Sequence, residues 1–522
     1  MAKQIWSRYQ TAIFETVRDG KKNVVIEAVA GSGKTTTIVE CANVISRSNR
    51  RLTLAYFAFN KSAADNLKKE LSGTAITCST TYAFGLDVIR RHAGRNARYI
   101  KISGNKYRKY FSDNFWKLSK VITIDTATDT VNRFVGNLTD LLTFARRDLL
   151  KADTKDIAGC LNELCEKHDI NTVADEIDII VRVIDDTYLF PCPLTANGYE
   201  VSFDDMVTLP LTVDGMAIPT YDRVFIDEAQ DLTAAQKSLM MQAVSGGGRF
   251  IAVGDSHQTL YGFCGCKNAL QELSAMPDTV TMPLSVCYRC ASSIINKAKA
   301  IVPNIEAAES AAVGTVKESD NVDTLQRGDM VIARRKADVI TLCLKGIKDG
   351  RPVTFVGESI KNRLKAFVLS LGCKYTSDMP KAVQEARERA IGAFMKRHDC
   401  DRMKAEASAY MQRWDDTQAC ALLLMQGTET QREVLAAIDA MFRERNPKDV
   451  ITFATIHTAK GLQADTVHII NSPRSNAAKT DDEVFAESCA EYVAYTRAKN
   501  VLNLVTLTND QILTAKTDRW GV

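Results

Sequence analysis

Short apolar, β-branched runs recur along this 522-residue chain, each closed by a turn and followed by a helical pattern. They read NVVIEAVA, RLTLAYFAF, DRVFIDEA, RFIAVGD, GDMVIARR, RPVTFVGE, DVITFATIH, DTVHIIN and NVLNLVTL. Continuously apolar strands alternating with helices indicate parallel sheets covered on both faces. The runs fall in three blocks, at about 20–60, 221–255 and 329–507 with a gap. Residues 93–205 lack the rhythm, and so does the stretch from about 359 to 447. The latter contains KAVQEARERAIGAFMKRHDCDRMKAEASAYMQRW, which has helical composition, no proline and mixed charge, the pattern of a solvated helical subdomain. The economical architecture is α/β, with two parallel-sheet cores each interrupted by a mostly helical insertion.

Composition narrows this picture. The length suits roughly two to four domains. With 45% hydrophobic and 25% charged residues, large packed cores are expected and wholesale disorder is not. A formal net charge of only +4 means that any grip on nucleic acid is a local groove and not a generally basic surface. The segment MAKQIWSRYQ has no apolar core of the secretory kind, and no apolar run approaches the ~20 residues needed to cross a bilayer. The expectation is a soluble cytoplasmic protein, nucleoid-associated if cellular, not secreted and with no membrane partner. The 14 cysteines are scattered, as reduced thiols are. Cys264, Cys266, Cys287 and Cys290 have the composition of a zinc or iron–sulfur site, but both pairs lie in segments with a better reading.

Three stretches carry chemistry. In AVAGSGKTTT, Gly31 and Gly33 let backbone N–H groups approach phosphate oxygens with no Cβ in the way. Lys34 is placed to reach the β- and γ-phosphates, Thr35 to hold Mg²⁺, and the helix that follows presents its positive end to the anion. Ala30, Ser32 and Thr36 complete the loop. In RVFIDEAQD, an apolar strand delivers Asp227 to the carboxyl edge of the sheet, where it completes the Mg²⁺ site. Glu228 then orients and deprotonates the attacking water. In AVGDSHQTLYGFCGC, another strand ends in Gly254-Asp255 and Gln258 follows, an uncharged amide suited to sensing a γ-phosphate. Beyond it lie Tyr261 and Phe263, whose ring faces are of the kind that stack on bases at ~1–3 kcal/mol each.

Taken together, these stretches resemble the UvrD/Rep-type superfamily-one DNA helicases, and are closest in wording to the F-box DNA helicase branch. Further segments appear in the order that the resemblance implies. RYQTAIF implies that Gln10 reads the adenine edge. YFAFNKSAAD implies strand contacts from Phe59 and Asn60, and a later threonine, Thr80, implies another. LSVCYRC implies that Tyr288 stacks on adenine while Arg289 reaches the γ-phosphate. TIHTAKGLQADTV carries His457 and Lys460, implied to couple strand and nucleotide, and CAEYVAYTRAKN carries Arg497, the second arginine. Departures are Cys264 where an arginine is usual, Gln463 where glutamate is preferred, and TTYAFG after Thr80. In this frame Cys264, Cys287 and Cys290 are substitutions within helicase motifs.

The resemblance implies two RecA-like motor domains: 1–92 with 206–280, and 281–358 with 447–522. The insertions are then 93–205 and a reduced 359–446. It implies ATP and Mg²⁺ as cofactors. The partners are single-stranded and partly duplex DNA, with an accessory repair or replication protein beside them and RNA left open. It also implies 3′-to-5′ travel in repair, recombination or replication. Two rivals stand beside it: a strand translocase that displaces proteins with little unwinding, favoured by the short second insertion, and an ATP-gated DNA-binding regulator. The segment RRHAGRNARYIKISGNKYRKYFSDNFWK interleaves basic residues with Tyr99, Tyr107, Tyr110 and Trp116. It reads equally as a nucleic-acid surface or as a solvated face with buried rings.

Overall fold

The computed structural model describes residues 5–118, 128–168, 170, 174–195, 198–259, 269–322, 324–398, 401–443, 445–471, 481–514 and 520. Contacts divide the chain into two units, one of Met1–Ala28 with Gly33–Leu284, the other of Val29–Ser32 with Ser285–Val522. Among the described residues no helix is long and apolar enough to cross a membrane.

The first unit is built on a parallel sheet of six strands. These are β1 (Asn23–Ala28), β2 (Leu54–Ala58), β3 (Ile76–Thr80), β4 (Tyr221–Ile226), β5 (Val244–Gly254) and β6 (Thr279–Leu284). Their spatial order is β3-β2-β4-β5-β1-β6. Strand β1 lies between β5 and β6, with Val24 opposite both Ile251 and Val280. Because side chains alternate across a strand, Val24 and Ile26 join one core with Ile13, Ile38 and Leu67, while Val25 joins another with Phe84, Val207 and Leu239. Both faces are therefore covered by helices, as the apolar runs require.

The second unit repeats the plan with β7 (Thr315–Ser319), β8 (Met330–Ala333), β9 (Val353–Val356), β10 (Ile451–Thr455), β11 (Ala464–Ile470) and β12 (Ala498–Val505). These pair in the order β7-β12-β11-β8-β10-β9, all parallel. All nine quoted runs are strands. In these two sheets three strands, β3, β6 and β7, escape the pattern because their edge positions leave ITCST, TVTMPL and TVKES half-exposed, whereas the fourth edge, β9, is apolar. Pairing of β6 with β1 also carries the first unit to Leu284, beyond the boundary expected at 280.

The insertions differ in kind. The first has its own apolar core, including Phe111, Phe134, Leu138 and Ile180. An ionic cluster ties it to the Phe203–Thr212 helix: Asp205 receives Lys106 Nζ at 2.7 Å and Tyr107 Oη at 2.8 Å, and pairs with Arg146 at 2.5 Å. Burial alone would raise the Asp205 carboxyl, but Arg146 and Lys106 outweigh it and hold the group below its ordinary value. Tyr107 is thus an interior residue, which removes it from the nucleic-acid surface offered by the sequence, whereas Tyr99 is exposed beneath the Arg98 guanidinium at 4.8 Å. The Trp116 side chain lies outside the described residues. The second insertion was expected as a separate solvated subdomain. Its helical residues Leu364, Val368, Val383, Leu424 and Ile438 share one core with Val353 and Phe355 of β9, while Ile391, Ala405 and Met411 form a smaller core within the insertion. Charge stays on the outside, as in the Arg387–Asp415 and Arg402–Glu388 pairs.

Candidate nucleotide and nucleic-acid site

Strand β1 runs into the glycine loop, and helix Lys34–Ser48 leaves it. Gly33 caps that helix in the left-handed region (φ 78°, ψ 39°) with no side-chain cap, so the first-turn N–H groups face outward as an anion cradle. Gly31 is also left-handed at φ 69°. A Cβ there would stand 2.6 Å from the Arg289 Cβ, so only glycine fits. Ser32 closes the turn, donating from Oγ to the Val29 carbonyl at 2.8 Å, and Thr36 is exposed on the first helical turn.

In the first unit the loop and the end of β4 meet. Thr35 Oγ1 donates to Asp227 Oδ2 at 3.0 Å, and Tyr56 Oη donates to the same oxygen at 3.2 Å. Asp227 is 7% exposed, and its carboxyl is pushed up to about 6, first by burial and then by Glu228; Thr35 and Lys34 only partly offset this. Lys34 Nζ stands 3.6 Å from Glu228 Oε2, and Gln230 Nε2 donates to that oxygen at 2.7 Å. Glu228 itself sits at φ 50°, ψ 44°, a conformation non-glycine residues adopt at a cost and one that concentrates at functional sites. Gln230 also accepts from Asp255 N at 3.0 Å, and Gln258 Nε2 donates to Asp255 Oδ2 at 2.6 Å, linking the ends of β4 and β5. Gln10 is buried, with Nε2 donating to Thr37 Oγ1 at 3.0 Å and Oε1 capping Ser7 N at 3.0 Å. Its amide is thereby fixed at Thr37, two residues beyond Thr35.

A buried carboxylate short of positive charge, beside a hydroxyl, is the hard-oxygen donor set that Mg²⁺ prefers. Asp227 and Thr35 fit that ion.

The residues of the first unit that the resemblance offers for strand contact follow β2 and β3 at its carboxyl edge. Phe59 is 56% exposed just after β2. Asn60 and Thr80 cap the next helices, accepting from Ala63 N at 2.8 Å and Ala83 N at 3.2 Å. A cleft of about 330 Å³ runs from Asp227 to Phe59, Tyr82 and Arg147. Tyr82 packs edge-on against Phe203, itself 54% exposed. Phe203, Tyr56 and Gln230 escaped the sequence reading. An exposed aromatic opening a helix was the available signal for Phe203, while Tyr56 reaches Asp227 only through strand register. Tyr261 and Phe263 lie outside the described residues.

In the second unit, Tyr288 N donates to the Gly31 carbonyl at 2.9 Å, and Ala30 N donates to Tyr492 Oη at 2.8 Å. The Tyr288 ring is 50% exposed, as a stacking face must be. Arg289 Nη1 donates to the Thr496 carbonyl at 3.3 Å. Arg497 is almost wholly buried, donating to the Val493 carbonyl at 2.9 Å and the Leu462 carbonyl at 3.3 Å. His457 and Lys460 follow β10 in one turn, with Lys460 N donating to the His457 carbonyl at 3.4 Å. The His457 imidazole is pushed down to about 4 by burial, then by Arg334 and Lys336. Arg334 follows β8 directly and Lys336 opens the next helix, and the sequence reading passed over both.

A parallel sheet with a glycine loop after its first strand and a carboxylate at the edge of a second defines a phosphate-loop nucleotide-binding protein. Residues 9–274 match the UvrD/REP helicase N-terminal domain, and the chain belongs to that family. It is similar to F-box DNA helicase 1 of Gallus gallus, with 23% identity over 525 residues that cover 92% of this chain and 47% of that protein. The chain spans about half the length of the curated relative it matches.

Proposed function

We propose that the chain is an ATP-dependent DNA helicase that moves on single-stranded DNA, 3′-to-5′, and opens duplex DNA in repair, recombination or replication. The observation that carries the reading is the grouping of Lys34, Thr35, Asp227 and Glu228 behind the glycine loop. Lys34 and the loop N–H groups bind the triphosphate. Mg²⁺, held by Asp227 and Thr35, would neutralise charge on the transferring phosphoryl group. Glu228, aimed by Gln230, orients the attacking water and takes its proton. Tyr288 stacks on the adenine and Gln10 reads its edge. Arg289 and Arg497 stabilise the charge that develops on the γ-phosphate, a role worth ~10³–10⁵ in rate. Phe59, Asn60, Thr80, His457 and Lys460, with Tyr261 and Phe263, hold the strand. Its bases stack on aromatic rings and its phosphates meet cations. A cytoplasmic setting and an accessory repair or replication protein belong to the same proposal.

ATP turnover measured with and without single-stranded DNA tests this, with Glu228→Gln as control. Strong stimulation is expected, with near-complete loss in the variant; equal rates with and without the strand reject a motor. A second reading, translocation with little unwinding, draws on the second insertion being merged into the core of its motor sheet. Strand separation on a tailed duplex, measured beside displacement of a bound protein, separates the two.

A further inference from the structure

Between Asp87 and Asp113 the chain carries no acidic residue, whereas Arg90, Arg95, Arg98, Lys101, Arg108 and Lys109 are all exposed. In a chain whose formal net charge is only +4, this is a local concentration of cations. The segment is held in a short parallel ribbon, Lys101–Ile102 with Glu200–Val201. Lys101 N donates to the Tyr199 carbonyl at 3.0 Å, and Ser103 N to the Val201 carbonyl at 3.0 Å. Around this ribbon the rings follow in series: Tyr99 lies 6.4 Å from Tyr199, Tyr199 6.4 Å from Phe190, and Phe190 6.3 Å from His92. Ile102 of the ribbon and Leu189, just before Phe190, are half exposed. At its other end the ribbon leads to Phe203, against which Gly104 lies; a Cβ there would stand 3.9 Å from the ring. Phe203 packs on Tyr82 at 6.0 Å, and Tyr82 lines the cleft that reaches Phe59.

We propose that this surface of the first insertion is a second binding site for single-stranded nucleic acid, prolonging onto the insertion the track that begins at Phe59. The inference rests on the strand-binding reading above. Half-exposed rings and aliphatic side chains gathered in one patch mark an interaction surface, and the cations beside them select the partner. An apolar partner would leave the cations unanswered. A duplex would offer them phosphates while keeping its base faces stacked on one another, away from the rings. An unpaired strand satisfies both: its phosphates meet Arg95, Arg98 and Lys101, and its bases stack on ring faces. Tyr99 is the anchor, at 52% exposure. The Arg98 guanidinium lies over its ring at 4.8 Å, so a base that stacks there gains the cation as well. Glu200, in register with Lys101, opposes the strand, but the exposed cations outnumber it.

The test titrates the full chain into a labelled poly-dT strand, and into the same strand paired with poly-dA, reading fluorescence anisotropy. Tyr99→Ala should weaken binding of the single strand by about fivefold or more, the lower end of what one base–aromatic stack is worth. Tyr99→Trp, which keeps a stacking face, should retain the wild-type affinity. Arg95→Ala/Arg98→Ala should lower the slope of log affinity against log salt by about 1.4, at ~0.7 for each lost phosphate contact. Thermal melts confirm that the variants are folded. The duplex should not respond to Tyr99→Ala, and an equal loss on strand and duplex overturns the assignment to unpaired bases. If Phe59→Ala alone weakens the strand, with affinity and salt slope unchanged in the Tyr99 and arginine variants, the site on the insertion is overturned and the track at the carboxyl edge stands. Wild-type protein that binds no single strand overturns both readings.

Discussion

The two sheets place opposite electrostatic problems at their carboxyl edges. At the first, Asp227 is pushed up to about 6 because burial and Glu228 outweigh the help of Lys34 and Thr35. At the second, His457 is pushed down to about 4 because burial joins with Arg334 and Lys336. At the first corner the carboxylates outweigh Lys34, and at the second Arg334 and Lys336 lower the imidazole although Arg334 pairs with Glu487. On the proposed function, a divalent metal with a triphosphate would answer the first, and the phosphates of a nucleic-acid strand would answer the second. One sheet plan used twice thus carries contrasting electrostatics at its two carboxyl edges.

Breaking the acidic corner should have the largest effect. Glu228→Gln is expected to lower strand-stimulated ATP turnover by ~10²–10⁴, the usual worth of a positioned general base, while nucleotide binding measured by calorimetry persists. Turnover retained within a factor of a few would remove Glu228 from its role. Next comes the grip beside that corner. Phe59→Ala should weaken single-stranded DNA binding by roughly 5–150-fold, the equivalent of ~1–3 kcal/mol of stacking, in a fluorescence anisotropy titration. The basic corner should respond through salt: Lys336→Ala is expected to reduce the slope of log affinity against log salt by about 0.7 for a single strand. An unchanged slope would place the track elsewhere.

The smallest effect is a pH dependence. The native His457 stays neutral down to about 4, whereas an unfolded histidine takes its proton near ~6.5. Between those values the unfolded state holds more protons, so its share of stability is complete above ~6.5 and is lost as pH falls toward 4. The slope of melting temperature against pH in that window should flatten in His457→Asn. Bound single-stranded DNA should raise the imidazole in the native protein, since phosphate offsets Arg334 and Lys336, and an NMR titration reads this directly.

Much of the fold was legible because central strands of a parallel sheet are apolar without interruption. VVI in β1 and VFI in β4 leave no alternative reading. Three of the four edges were not, because ITCST, TVTMPL and TVKES are partly exposed and alternate weakly, whereas VTFV of β9 is nearly buried throughout. Lys34, Thr35, Asp227 and Glu228 stood out since each sits at the end of such a run within a few residues of its partners. Tyr56, Gln230, Arg334 and Lys336 did not, because register and turn geometry bring them in and local spacing does not. Tyr107 shows the same limit from the other side. Its basic, aromatic neighbourhood suits a surface, and only the burial of Asp205 and Arg146 beside it turns the ring inward.

The second insertion has a small interior around Ile391, Ala405 and Met411, but its Leu364, Leu424 and Ile438 complete the packing around Phe355. It therefore does not behave as a cassette. A chain shortened at this point would lose part of the core of its second sheet before it lost any accessory surface. Exchange of this segment between related proteins must carry the facing strand residues along with it.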